Sequence, residues 1–171
     1  VNGANEIRVQ VMHRSPNSRW YSGAGIFRNI WFKTMPDTHF VSDGIYIRTE
    51  RTDAGYMLKV SSEISGSEFD AVAYTVFDKN GTAVVSRTTD AAADTVEIEV
   101  ESPDEWDIDN PVCYVLRAEL LCNGQAVDCI NTRFGFRTIE FNSDSGFYLN
   151  GRHVKLNGVC MHHDLGALGA A

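Results

Sequence analysis

Four groups of side chains in this 171-residue sequence have types and spacings that could do chemistry. His162-His163-Asp164 sets two imidazoles and a carboxylate in a row, donors suited to zinc or to hydrogen bonds with a polar ligand. Neighbours on a strand point to opposite faces, so joint ligation is awkward and no metal is expected there. Asp104, Asp107, Asp109 and Asn110, within DEWDIDNP, offer the oxygen atoms that calcium takes. The EF-hand pattern fails, however, without its sixth-position Gly or twelfth-position Glu, and a solvated loop is expected. Glu97, Glu99 and Glu101 alternate along one segment and would stand about 7 Å apart on the outer face of a strand, a solvated row and not a catalytic pair. Cys113, Cys122, Cys129 and Cys160 contain no CxxC spacing, so no structural zinc site is expected. Cys122 and Cys129 flank a turn and could approach each other if their registers matched. The default reading is four thiols, two or three of them buried as small apolar residues. No Ser-His-Asp, P-loop or dinucleotide signature is present.

The elements that would carry these groups are strands. Val112, Tyr114, Leu116, Ala118 and Leu120 alternate with Cys113, Val115, Arg117, Glu119 and Leu121, the period of a strand with one face inward. Asn123-Gly124 then favours a two-residue hairpin turn, and a second strand is predicted over about 125–141, with a bulge near Gly135 to reconcile its two parities. Upstream, short strands recur at sandwich-like spacing. The first covers 40–51, with Ile45, Ile47 and Thr49 opposite Tyr46 and Arg48; the second covers 55–64, with Leu58, Val60 and Ile64 inward. The third covers 69–78, with Val72, Tyr74 and Val76 on one face, and Asn80-Gly81 turns it into TAVVSRT. The fifth covers 94–101, with Val96, Ile98 and Val100 opposite the glutamates. The closing hairpin brings the count between 38 and 141 to seven strands. Met35-Pro36-Asp37 reads as a linker. Before it, Ile7, Val9 and Val11 alternate in 4–12, and IFRNIWF is apolar on both faces, as in a strand covered on both sides. After it, 142–146 reads as a polar joint and FYLNGRHVKLNGV as a hairpin with Asn150-Gly151 at its type I′ turn. Gly158–Met161 reads as a buried strand leading to His162, and DLGALGAA as the first turns of a helix.

A 43% hydrophobic content, 11% aromatics and this length suit one globular domain with residues to spare. The net charge of −8 argues against a nucleic-acid partner, and no apolar run approaches the roughly 20 residues of a membrane helix. The first residue falls inside what reads as a strand, so a longer protein is expected. Localisation is left open between periplasm, cytoplasm and secretion.

Three blocks carry a resemblance: RWYSGAGIFRNIWF; then Trp106, Pro111 and Tyr114 with TRFGFRTIEF; then FYLNGRHVKLNGVCMHHDLGALGAA. Together and in this order the chain resembles the middle of a family 2 glycoside hydrolase of the β-galactosidase and β-glucuronidase type. The resemblance implies a mainly β chain. Residues 1–36 would be the last strands of a sugar-binding jelly roll, 37–141 an immunoglobulin-like seven-stranded β-sandwich, and 142–171 the first hairpin and strand of a catalytic (β/α)8 barrel. It implies structural roles for Trp20, Arg28, Trp106, Pro111, Tyr114, Phe136 and Arg137. Arg19, Trp20 and Arg28 can be read as sugar contacts or as packing at a domain junction, and the second is preferred. His162 matches the histidine after the first barrel strand, which hydrogen-bonds the substrate sugar; where the family often has Asn, two residues earlier, stands Cys160. Retaining hydrolysis needs two carboxylates about 5 Å apart, and in that family both are Glu on later barrel strands. The expected function is therefore a non-catalytic scaffold within a longer enzyme that acts on β-linked carbohydrate, with no cofactor required here and self-association through orphaned terminal strands. A free-standing adhesion or carbohydrate-binding sandwich is the alternative.

Overall fold

The computed structural model describes residues 3–14, 25–26, 29–90 and 95–160. The chain divides into two units, one of Val1–Lys33 with Asn157–Ala171 and one of Thr34–Leu156. All of the strands described lie in the second. No helix among the described residues is long and apolar enough to cross a membrane.

Seven strands form the sandwich: β1 (His39–Arg51), β2 (Gly55–Ser65), β3 (Ala71–Phe77), β4 (Ala83–Asp90), β5 (Val96–Glu101), β6 (Tyr114–Cys122) and β7 (Gln125–Phe134). They pair antiparallel as a three-stranded sheet, β1-β2-β5, and a four-stranded sheet, β4-β3-β6-β7. The alternation in sequence becomes alternation in burial. Val72, Tyr74 and Val76 of β3, Val96, Ile98 and Val100 of β5, and Tyr114, Leu116, Ala118 and Leu120 of β6 are all buried, with Leu58 and Val60 of β2 fully so. Each Val, Leu or Ile among them contributes about 1.5–3 kcal/mol by leaving water, and together these residues form one continuous core. Tyr56, equally buried, joins them from β2.

Turn chemistry sets the registers. Asn123 and Gly124 have φ of 51° and 76°, both positive as a type I′ turn requires. The turn at Asn80-Gly81 is of another kind. The amide of Gly81 bonds Asp78 O, that of Asp78 bonds Thr82 O, and only Gly81 is in the positive region, at 81°, which makes a type I turn with a glycine bulge. In β1 the pairing jumps between Phe40 and Ile45, around Asp43 at φ 60°. That bulge flips the parity, so Phe40 is buried on the same side as Ile45 and Ile47 although it is separated from Ile45 by five positions.

Several expectations give way. The strand after Asn123-Gly124 does not run to 141: β7 stops at Phe134, before the sites of the expected bulge. The irregularity in that hairpin falls instead between Leu120 and Leu121. Ile139–Asn142 forms β8, which pairs with β9 (Gly146–Leu149), itself paired with β10 (Arg152–His153) in a separate three-stranded sheet. Residues 143–145 are therefore a hairpin turn, since Asn142 and Gly146 are partners. The 147–156 hairpin is no orphan, because β8 supplies its neighbour. Asn150 and Gly151, at φ 51° and 76°, make the expected type I′ turn.

The described residues of 4–12 and 26–32 form no strand, and Ile7, Val9, Ile30 and Phe32 are exposed. Residues 158–160 form none either, and Val159 is 88% exposed. A strand is defined by its ladder, and alternation without a pairing partner leaves the backbone to water. The cysteines also depart from expectation. None is buried: Cys113 and Cys122 are half-buried, Cys129 and Cys160 exposed, and all four are free thiols. Cys122 pairs with Gln125 and Cys129 with Glu119, so register holds the two away from each other.

Candidate functional site

At one end of the sandwich the chain leaves β7, and here the resemblance residues that the structure describes come together. Phe136 is fully buried. Its ring lies 4.9 Å from Tyr114 and 5.0 Å from Phe134, edge to face in both, and 5.4 Å from Tyr56. Such pairs add about 0.5–1.5 kcal/mol each beyond the area they bury. Phe136 reaches this position because Gly135 passes under Trp106. A Cβ on Gly135 would stand 2.7 Å from the Cβ of Trp106, so only glycine allows the approach.

The acidic loop before β6 closes over this plug. The amide of Trp106 donates to Phe136 O at 2.8 Å, and Trp106 bridges Pro111 across the loop. The guanidinium of Arg137 lies 4.9 Å above the Trp106 ring. The Tyr114 hydroxyl accepts the amide of Asp104 at 2.9 Å. Burial raises the Tyr114 phenol above its ordinary range, helped by the carboxylates of Asp104 and Asp78 and opposed by the Asp104 amide. Glu105 accepts the Tyr56 hydroxyl at 2.6 Å and pairs with Arg51. These contacts hold the loop at both of its walls.

The small sheet is clasped to the same loop. The Asn150 side chain donates to Trp106 O at 3.0 Å and accepts the Thr138 amide at 2.9 Å, while its own amide donates to Thr138 O at 3.0 Å. Arg152 meets Asp107 at 2.6 Å and Asp109 at 3.4 Å. Leu149 of β9 is buried, at 2% exposed. The acidic loop is thus not merely solvated: Asp107 and Asp109 face Arg152, and Asp104 lies 3.6 Å from Lys79. The glutamate row does face outward, and Lys59 sits between Glu50 at 2.8 Å and Glu97 at 3.6 Å.

Trp106, Pro111, Tyr114, Phe136 and Arg137 are brought to this one place. Trp20, Arg28 and His162, with Arg19, His163 and Asp164, lie outside the described residues. Sequence reading missed the parts played by Asn150, Arg152, Glu105 and Tyr56. Asn150 was legible only as a turn residue, since its partners are 12 and 44 positions away in the chain. What the arrangement can do is mechanical: it joins a sandwich to a separate sheet through hydrogen bonds and charge pairs. No group of three or more metal-binding side chains forms among the described residues.

Known proteins place the arrangement in context. The profile of glycosyl hydrolases family 2 matches residues 32–137. The chain is 37% identical to the β-galactosidase BoGH2A of Bacteroides ovatus over 98% of its own length and 21% of the relative's. It is 32% identical to a putative β-glucuronidase of Formosa agariphila over 99% of its length and 17% of the relative's. Among solved structures, a glycosyl hydrolase family 2 member from Bacteroides cellulosilyticus superposes with a TM-score of 0.79 at 32% identity, covering 94% of this chain and 24% of that one. A β-glycosidase from Bacteroides vulgatus gives 0.77 at 30% identity, with 88% and 20% covered. The chain spans about a fifth of the length of these relatives.

Proposed function

The chain belongs to glycosyl hydrolases family 2, and from that premise we propose that it is the non-catalytic linker of a longer enzyme that hydrolyses β-linked carbohydrate with retention. Residues 1–36 belong in this reading to a sugar-binding jelly roll, 37–141 to the immunoglobulin-like sandwich and 142–171 to the opening of a catalytic barrel. The sandwich is a spacer, and the clasp of Asn150 and Arg152 on the loop around Trp106 fastens the Gly146–His153 hairpin to it. His162 contacts the substrate sugar in the longer enzyme. Both catalytic glutamates lie outside these residues, so the chain alone is inactive. The observation that carries the reading is the family match falling on 32–137, within a chain that spans about a fifth of its relatives.

The 171 residues assayed alone with aryl β-galactosides and β-glucuronides should release no phenol above the buffer rate. The same assay on a polypeptide that includes the barrel should show turnover. Hydrolysis by the chain alone would end the scaffold reading. The exposed apolar residues at 7–12 and 30–32 support self-association, which light scattering over a concentration series should detect as a mass above that of one chain.

A further inference from the structure

A groove of about 950 Å3 runs along one side of the sandwich, between the second half of β1 and the stretch from the end of β7 into β8. Four arginines line it, Arg48, Arg51, Arg133 and Arg137, against one carboxylate, Glu50. In a chain of net charge −8 that is a local reversal of sign. Not all of these cations are free. Arg51 pairs with Glu105, and Arg48 reaches Glu50 at 3.4 Å, though Glu50 is held more closely by Lys59 at 2.8 Å. Arg133 and Arg137 meet no carboxylate among the described residues. Arg137 is also kept in place, because its guanidinium lies over the Trp106 ring at 4.9 Å, and both residues line the groove. Tyr46, 65% exposed, joins Trp106 and Phe134 as a third aromatic residue of the lining.

We propose that this groove binds an acidic glycan, a chain of pyranose units that carry carboxylates. A planar guanidinium presents paired N–H donors at the spacing of carboxylate oxygens. The rings of Trp106 and Tyr46 offer apolar surface to the C–H faces of a sugar. The volume lies within the range of about 300–1,000 Å3 that small-molecule sites occupy, enough for a few sugar units. A nucleic acid would bring about one phosphate per 1.7 Å of duplex axis toward a chain of strongly negative net charge. An acidic peptide would match the arginines but gives the two rings nothing flat to cover.

The test is titration calorimetry of the 171-residue chain at low ionic strength with three probes: a galacturonic acid trisaccharide, its carboxyl-reduced neutral counterpart, and hexaglutamate. The uronate should bind saturably and weaken as salt is added, while the neutral sugar and the peptide should bind at least about tenfold more weakly, the loss expected for one charge-assisted contact or its aromatic complement. Arg133→Gln and Arg137→Gln should each weaken uronate binding by about tenfold. Arg133 is exposed and outside the core, so its variant should keep the wild-type thermal midpoint, which guards against a folding defect. Absence of uronate binding, equal binding of the neutral sugar, or indifference to both substitutions would overturn the proposal. Hexaglutamate binding as tightly as the uronate would assign the groove to an acidic peptide instead. None of these outcomes bears on the hydrolysis assay, so the linker reading stands or falls separately.

Discussion

β5 and β8 are both short strands of alternating sequence, and they meet opposite fates. In β5, Val96, Ile98 and Val100 are at most 5% exposed. In β8, Ile139 and Phe141 hold the equivalent alternate positions and are 49% and 75% exposed. Both strands are paired within a sheet. What differs is the layer opposite: β5 faces the β4-β3-β6-β7 sheet across the core, whereas Phe141 stays 75% exposed although its ring lies 5.0 Å from Phe147 on its own sheet. Period-two patterning therefore specifies which side chains share a face, and burial follows only where a second layer covers that face.

The sharpest way to break this comparison is a pair of truncations. Leu58→Ala, at a fully buried site of the sandwich, should lower unfolding stability by about 2–5 kcal/mol. Ile139→Ala should change it by no more than about 0.5 kcal/mol. Urea midpoints measure both, and equal losses would mean that the β8 face is covered in solution. A smaller effect is expected at the join between the two regions. Asn150→Gly keeps the positive φ of the turn but removes the side-chain bonds to Trp106 and Thr138, a cost of about 1–2 kcal/mol. Hydrogen exchange should speed up in β8–β10 and stay unchanged in β5 and β6. Uniform acceleration throughout would show that the two regions unfold as one.

Two pH effects sharpen the comparison further. The Tyr74 phenol, inside the sandwich, is raised above 10.0 by burial, against the opposing bond to Ser62. The folded state then holds that proton more firmly than the unfolded chain does. Its contribution is intact below pH 10.0 and is lost as pH rises through the higher folded value. Tyr74→Phe should flatten the alkaline fall in the urea midpoint, and an unchanged slope would show that other groups govern it. The smallest effect belongs to Asp78, whose carboxylate is lowered below 3.8 chiefly by the Thr82 amide and also by that of Asn80. Its contribution is present above that value and is lost as pH falls through the lower folded one. Asp78→Asn should reduce the acid slope slightly and leave the neutral midpoint almost unmoved.

Much of the sandwich was legible because its strands obey local rules. The inward residues of β3, β5 and β6 follow from parity alone, and the turns at Asn123-Gly124 and Asn150-Gly151 follow from the tolerance of Asn and Gly for positive φ. The core of β2 was legible in Leu58 and Val60 but not in Tyr56, whose hydroxyl finds its acceptor, Glu105, 49 positions away. The end of β7 was not legible either. Phe134 and Phe136 look like alternate residues of one strand, yet Gly135 lets the chain slip under Trp106 and out of the sheet.

For this protein the residues in order settled the strand pattern, the turn types and the family likeness, since each depends on neighbours within a few positions. Sheet partners, the third sheet and the clasp on Trp106 were settled only in three dimensions. An amide or carboxylate acquires its partner from whatever the folded chain brings within about 3 Å, and nothing in the local sequence of Asn150 or Arg152 names Trp106 or Asp107.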